Sequence, residues 1–249
     1  MLFLIVWGFH GFSTKESSNY YPPEKKSSSK NTEDNRQVFQ ERFTNILSTP
    51  VRKKELDNLI PTEYINYIYI DESQIPDDIK LELKERSINL KSYGSFSKGK
   101  ITHEFINTPY YKNRFQELGG YEKIKEKLSF QPTDLKAILN DYELIGGDYS
   151  GTYTENKGFN SVFRSYQNNN SSIEINEIQL NKNSDKIIFF KENINNYINN
   201  SPATIERIDN GNIYNISWIS QDRLYNMSSK GLSEGQASSI AQKIDSLTK

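Results

Sequence analysis

The chain has no cysteine in its 249 residues. That excludes disulfides, thiolate catalysis, cysteine-based zinc sites and an acylated lipoprotein cysteine. Histidine is nearly missing as well. One of the two, His10, sits in an apolar leader and the other is His103. A histidine-rich metal site is therefore out of reach, and His-Glu-x-x-His does not occur. Neither sign of charge is in excess. The 31 basic and 32 acidic residues leave a formal net charge of −1, so no basic bulk exists to hold nucleic acid. A long hydrophobic run is lacking too. Met1 to Phe12 is apolar but shorter than the roughly 20 residues a membrane-spanning helix needs.

What is present is aromatic. There are 16 Tyr and 13 Phe, 12% aromatic with Trp, against 35% hydrophobic residues in all. Aromatic rings bury much area per residue, so a core remains feasible at this length. Asn, Lys, Ile and Tyr are abundant together, as in Asn168-Asn169-Asn170, which is the signature of an AT-rich coding sequence.

The last quarter is the most legible. Thr204 to Ile208 is rich in β-branched residues, and Asn210-Gly211 after it is a strong hairpin signal. Ile213 to Ser220 alternates, with Tyr214, Ile216 and Trp218 on one face and Asn215 and Ser217 on the other. Leu224 to Ser228 gives a third strand. Ser233 and Gln236 then form a capping box, with Leu232 placed to staple onto Ala237. Ala237, Ile240, Ala241, Ile244 and Leu247 make one apolar stripe. The expected fold class is α+β: an antiparallel β-meander sheet with a C-terminal helix packed on it, preceded by a smaller mixed helix/strand region.

These features resemble the end of a domain of unknown function found in Gram-positive membrane proteins. That domain often forms the extracytoplasmic part of anti-sigma-factor-like proteins and of lipoproteins. Its ending is a strand with a central Trp, a strand with an early Tyr, and a Leu-Ser-Glu helix with Ile-Ala and a later Ile. Here those are Trp218, Tyr225, Leu232-Ser233-Glu234, Ile240-Ala241 and Ile244. Its beginning, a Pro followed by Gly-Tyr-x-Leu and Gly, is matched by Pro132 and by Tyr142-Glu143-Leu144-Ile145-Gly146, with Asp141 in place of the first Gly. The resemblance covers about half the chain, from near Phe130 onward. It implies an extracytoplasmic domain and carries over no catalytic residue.

Upstream, residues 13–36 are Ser, Lys, Asn, Glu and Pro with almost no aliphatics, which predicts a disordered linker. Residues 1–12 are then expected to be the remnant of a signal or membrane anchor whose true start lies upstream. Residues 37–128 form an expected N-terminal α+β region and residues 129–249 the C-terminal domain. Within the former, Val38 to Leu47 has helical spacing, and a second short helix is expected between Val51 and Ile60. Tyr64 to Ile70 reads as a buried strand. Ile79, Leu81 and Leu83 alternate, yet Pro76-Asp77-Asp78 opens a helix, and both readings stand. Ile88 to Ser97 with Lys100 to Ile106 reads as a hairpin. Thr108-Pro109 begins a helix ending at Gly119-Gly120, and Tyr121 to Leu128 is another. Phe159 to Tyr166 and Ser172 to Leu180 form a second hairpin.

Candidate chemistry is sparse. Asp71-Glu72 and Asp77-Asp78 are paired carboxylates, the residue type general acid–base catalysis uses, but acids flanking a proline turn are usually solvated. Glu104, Asp141 and Asp148 complete the acids that could meet in space. His103 and Glu104 are adjacent on an expected strand and so point to opposite faces. Gly146 to Gly151 lacks the Lys of a phosphate loop and reads as a turn or bulge. Tyr110, Tyr111 and Phe115, or Tyr149 and Tyr153, could stack on a glycan or peptide, or simply fill core and rim. No catalytic, cofactor or metal residue is assigned, and no cofactor is expected. The expectation is a non-enzymatic extracytoplasmic sensor or binding module, membrane-tethered, with a protein or envelope ligand and no nucleic acid. A lipid- or peptide-carrying module and an envelope hydrolase are the alternatives.

Overall fold

The structure is a computed structural model and describes residues 51–96, 109–182 and 186–248. The apolar leader, the 13–36 segment, the helical stripe from Val38 to Leu47, His103 and Glu104 all lie outside the described residues.

In chain order the elements are α1 (Lys53–Asp57), β1 (Ile65–Ile68), a 3-10 turn (Ile70–Glu72), α2 (Asp77–Tyr93), α3 (Pro109–Glu117) and α4 (Tyr121–Lys125). Then follow β2 (Glu143–Thr154), β3 (Gly158–Gln167), β4 (Ser172–Gln179), β5 (Ile187–Phe190), β6 (Asn196–Ile198), β7 (Ser201–Ile208), β8 (Ile213–Ser220), β9 (Arg223–Lys230) and α5 (Glu234–Leu247). The fold is α+β, as expected. Seven strands form one antiparallel sheet in the order β2-β3-β4-β9-β8-β7-β6. It is two meanders joined by the β4–β9 ladder, from Ser172 opposite Lys230 to Gln179 opposite Arg223.

Alternation makes one face of that sheet apolar. Ile175, Met227, Ile216 and Ile205 stand side by side across four strands, and so do Tyr225, Trp218 and Ala203. Helix α5 covers them. Ser233 accepts a hydrogen bond from the Gln236 amide at 3.3 Å, and Gln236 Oε1 accepts from the Ser233 amide at 2.9 Å. That box starts the helix, and Ala237, Ala241 and Ile244 are fully buried. Leu247 departs from the expected stripe: it is 51% exposed in the last turn, where helices fray. Farther along the same face, Val162 packs with Ile124 and Leu128, supported by Phe115 and Tyr121 from α3 and α4.

Two local readings are corrected. Ile88 to Ser97 does not open a hairpin. Asp77 to Tyr93 is one α-helix that ends at Gly94 in the left-handed conformation. Leu83, Ser87 and Leu90 give it a buried stripe at four- and three-residue steps, whereas Ile88 is exposed. The same helix settles the choice left open at Ile79 to Leu83. The strand from Tyr64 is four residues long and pairs in parallel with β5, Ile65 opposite Ile187 and Ile68 opposite Phe190.

The described residues belong to one compact unit. The expected division after residue 128 is crossed by the β1–β5 ladder and by the α4 contacts with Val162. The largest core cluster, by contrast, lies wholly between Leu135 and Ile244. Among the described residues no helix is long and apolar enough to cross a membrane.

Candidate functional site

The acids singled out by sequence sit on separate elements. Asp71 and Glu72 are exposed in the 3-10 turn, where Glu72 accepts from the Tyr69 amide at 2.9 Å and Asp71 pairs with Lys84. Asp77 and Asp78 are exposed in the first turn of α2. Asp141 is exposed, and Asp148 lies 3.7 Å from Arg114. The glycines from Gly146 to Gly151 mark bulges within β2, since the register shifts at Leu144/Gly146 and again at Ser150/Tyr153. Tyr149 and Tyr153 both pack on Phe159, at 4.7 and 5.1 Å between ring centroids. Tyr110 and Tyr111 fall in the first turn of α3, and Phe115 packs into the cluster under α4.

One hydrolase-like spacing escaped the sequence reading, which treated Ser233 only as a cap. Gly231-Leu232-Ser233-Glu234-Gly235 has the Gly-x-Ser-x-Gly pattern between a strand and a helix. The backbone decides its role. A nucleophilic serine in that motif sits on a sharp, strained turn, but Ser233 has φ −74° and ψ 161°, ordinary extended geometry. Its hydroxyl is engaged with Gln236, 3.0 Å from Oε1. Ser233 is a helix cap.

Charge is buried at one place on the helix-covered face. Arg164 on β3 and Glu177 on β4 meet at 2.5 Å, with side chains 1% and 0% exposed. Arg164 also donates to the Thr133 carbonyl at 2.6 Å. Glu177 accepts from the Thr133 amide and from Arg223, which lies over the Phe130 ring at 4.4 Å. Burial acts to lower the Arg164 pKa, but the Glu177 carboxylate and the phenols of Tyr166, Tyr121 and Tyr225 outweigh it, so the guanidinium is held above its ordinary value. Tyr225, beside this cluster, is pushed up to about 12 by burial and by Glu177. The charge pair locks β3 to β4 and to the segment at Thr133, while the buried Arg164 Nε is left without a hydrogen-bond partner among the described residues. Sequence gave no sign of the pairing, because one Arg and one Glu 13 positions apart converge only once the β3–β4 register is known.

The opposite face is polar. One row runs straight across five strands: Ser165, Glu174, Ser228, Asn215 and Glu206. Beside it runs Phe163, Asn176, Asn226, Ser217 and Thr204. The polar groups bond to one another in a fixed sense. Ser161 donates to Asn176 Oδ1 at 2.9 Å, Ser217 to Asn226 Oδ1 at 3.1 Å, and Ser228 to Asn215 Oδ1 at 2.6 Å. Asn215 Nδ2 donates to Glu206, whose other oxygen accepts from Ser95 and from the Phe96 amide. The Nδ2 groups of Asn176 and Asn226 have no acceptor among the described residues. Both side chains are half-buried. Sequence analysis found only one piece of this surface, Asn215 and Ser217 opposite the aromatic face of their strand.

Much of these rows is buried, with Ser165, Glu174, Ser217, Ser228 and Thr204 inaccessible and Asn176, Asn226 and Asn215 only half-buried. Among the described residues no group of three or more His, Asp or Glu side chains is placed to hold a metal ion. Comparison with family models, with curated proteins and with solved structures gives no match to this chain.

Proposed function

We propose that the protein is a non-enzymatic binding module of the cell envelope, held outside the membrane by its N-terminal segment. The observation that carries the binding reading is the pair of half-buried amides, Asn176 and Asn226, whose Oδ1 atoms are held by Ser161 and Ser217 and whose Nδ2 donors have no acceptor among the described residues. Two further points support it. The one serine with hydrolase-like spacing is used as a helix cap, and the buried Glu177 carboxylate is engaged by Arg164, Arg223 and the Thr133 amide. The extracytoplasmic location is supported by the apolar leader followed by a polar segment and by the resemblance of the C-terminal half. The same resemblance supports action through a partner in an envelope response, with a sigma-factor pathway as the specific case.

Two measurements test this reading. A tagged full chain in a Gram-positive host is expected to be digested when protease is added to intact protoplasts, and protection would place it inside. A fluorophosphonate probe is expected to leave the purified chain unlabelled. Labelling that disappears in Ser233→Ala would make it a serine hydrolase.

A further inference from the structure

We infer that Asn210-Gly211 is a site of spontaneous succinimide formation, where the chain loses an amide and gains a carboxylate as the β7–β8 turn opens. The inference goes beyond the binding reading and does not depend on it.

The turn demands the labile pair. Asp209–Gly211 is the 3-10 turn that joins β7 to β8, just past the last ladder pair, Ile208 opposite Ile213. Asn210 has φ 54° and ψ 28°, and Gly211 has φ 88°. Left-handed backbone at two successive positions favours Asn followed by Gly. A larger residue at 211 is disfavoured for a second reason. A Cβ there would lie 3.2 Å from Tyr214 Oη and 3.4 Å from Arg207 Cδ. Asn-Gly occurs nowhere else in the chain.

The chemistry needs only water. The Gly211 amide nitrogen, with no side chain beside it to hinder approach, loses its proton to solvent base and adds to Asn210 Cγ. The Cγ–Nδ2 bond breaks, Nδ2 takes a proton from water and leaves as ammonia, and a five-membered cyclic imide closes. Water then adds to either ring carbonyl and breaks its bond to nitrogen. The product is an aspartate at 210, or an isoaspartate whose side chain carries the backbone. The fold gates the first step. Asn210 is exposed, but at ψ 28° the Gly211 nitrogen lies away from Cβ, so the ring closes only after a large rotation about the Asn210 Cα–C bond. Opening of a turn at a hairpin end costs far less than global unfolding.

Two other exposed asparagines have left-handed backbone, Asn156 and Asn199. Each is restrained at an atom the reaction uses. The nitrogen that would attack Asn156 belongs to Lys157, and its N–H donates to the Thr154 carbonyl at 3.0 Å. The leaving group of Asn199, its Nδ2, donates to Asp245 at 2.7 Å and to the Gln242 carbonyl at 3.0 Å. Both residues also precede one that carries a side chain.

The test is peptide mapping by mass spectrometry of the full chain, incubated at mildly alkaline pH in buffer and in unfolding urea. Asn156 and Asn199 are read in the same digests. Asn210 is expected to lose its amide ahead of both in buffer, as a mixture of aspartate and isoaspartate, and to lose it faster still in urea. Isoelectric focusing gives a second readout. An acidic form is expected to accumulate in the parent, to migrate with Asn210→Asp, and to form more slowly in Asn210→Gln. Should Asn210→Gln not fold by circular dichroism, the mapping of the parent decides alone. Loss at Asn156 or Asn199 first overturns the inference. So does full retention of the Asn210 amide in buffer after it has gone in urea, or an equal rate with and without urea.

Discussion

Asn215 and Ser228 face each other across the β8–β9 ladder, and the Ser228 hydroxyl donates to Asn215 Oδ1 at 2.6 Å. One step along, the roles exchange strands: Ser217 donates to Asn226 Oδ1 at 3.1 Å. The reciprocity follows from two copies of an Asn-apolar-Ser triplet, Asn215-Ile216-Ser217 and Asn226-Met227-Ser228, run antiparallel in register. The middle residues, Ile216 and Met227, point to the other face and enter the core. A single short pattern therefore builds both the polar surface and the floor beneath α5.

That floor has one large anchor. Trp218 is fully buried and stacks on Tyr225 at 4.9 Å between ring centroids and 15° between planes. Trp218→Ala is expected to destabilise the fold by about 3–5 kcal/mol, from lost burial plus the cavity left behind. Urea unfolding of the variant beside the parent measures it. A loss below about 1 kcal/mol would mean the stack is dispensable.

The charge pair on the same face behaves differently. Glu177→Ala leaves Arg164 buried without its carboxylate and is expected to cost about 3–5 kcal/mol. Replacing both partners, with Arg164→Met and Glu177→Leu, is expected to recover most of that loss, because the desolvation of two ions disappears with them. A double variant no more stable than Glu177→Ala would show that the contacts to Thr133 and Arg223, and not the pair, carry the effect.

Alkaline pH provides a third check. Burial raises Tyr67, Tyr166 and Tyr225 to about 12, above the ordinary phenol value of about 10. The folded chain then binds more protons than the unfolded one between those values, so stability is full below about pH 10 and falls as pH rises toward 12. The phenolate absorbance of these three tyrosines, isolated by comparison with their Phe variants, is expected to rise together with the loss of circular dichroism in that window. Ionisation of Tyr67, Tyr166 and Tyr225 near pH 10 with the fold intact would contradict their burial.

The division of the chain yields a fourth prediction. A fragment from Gly120 to Lys249 contains every residue of the largest core cluster and is expected to fold by itself. It lacks β1, the partner of β5, and Phe115 under α4, so it is expected to be less stable than the full chain. An unfolded fragment would show that residues on both sides share one core.

Local order was legible from sequence where its cause is local. The Ser233–Gln236 capping box, the three- and four-residue stripe of α5 and the alternation in β8 all arise within a few residues. The pairing of β4 with β9 and of β1 with β5 joins segments about 50 and 120 positions apart, and no local signal specifies it. The error at Ile88 has the same origin. A β-branched residue at an exposed helical position was read as a strand, although Leu83, Ser87 and Leu90 already marked the buried side. The polar rows were half visible in the alternation of β8, but which residues neighbour Asn215 depends on register across four other strands. Ser233 shows the converse, since a catalytic spacing can be met by residues whose backbone geometry serves only to start a helix.

The claim that this protein works by binding through its polar sheet face is tested most directly by the side-chain amide resonances of Asn176 and Asn226. Nuclear magnetic resonance of the labelled full chain, titrated with solubilised cell-wall fragments, resolves them from Asn199. The Asn199 amide donates to Asp245 on α5 at 2.7 Å and serves as an internal control. The account predicts that the Asn176 and Asn226 amides shift together while Asn199 stays fixed. Shifts confined to Asn199 and α5, with Asn176 and Asn226 unmoved at saturation, would contradict it.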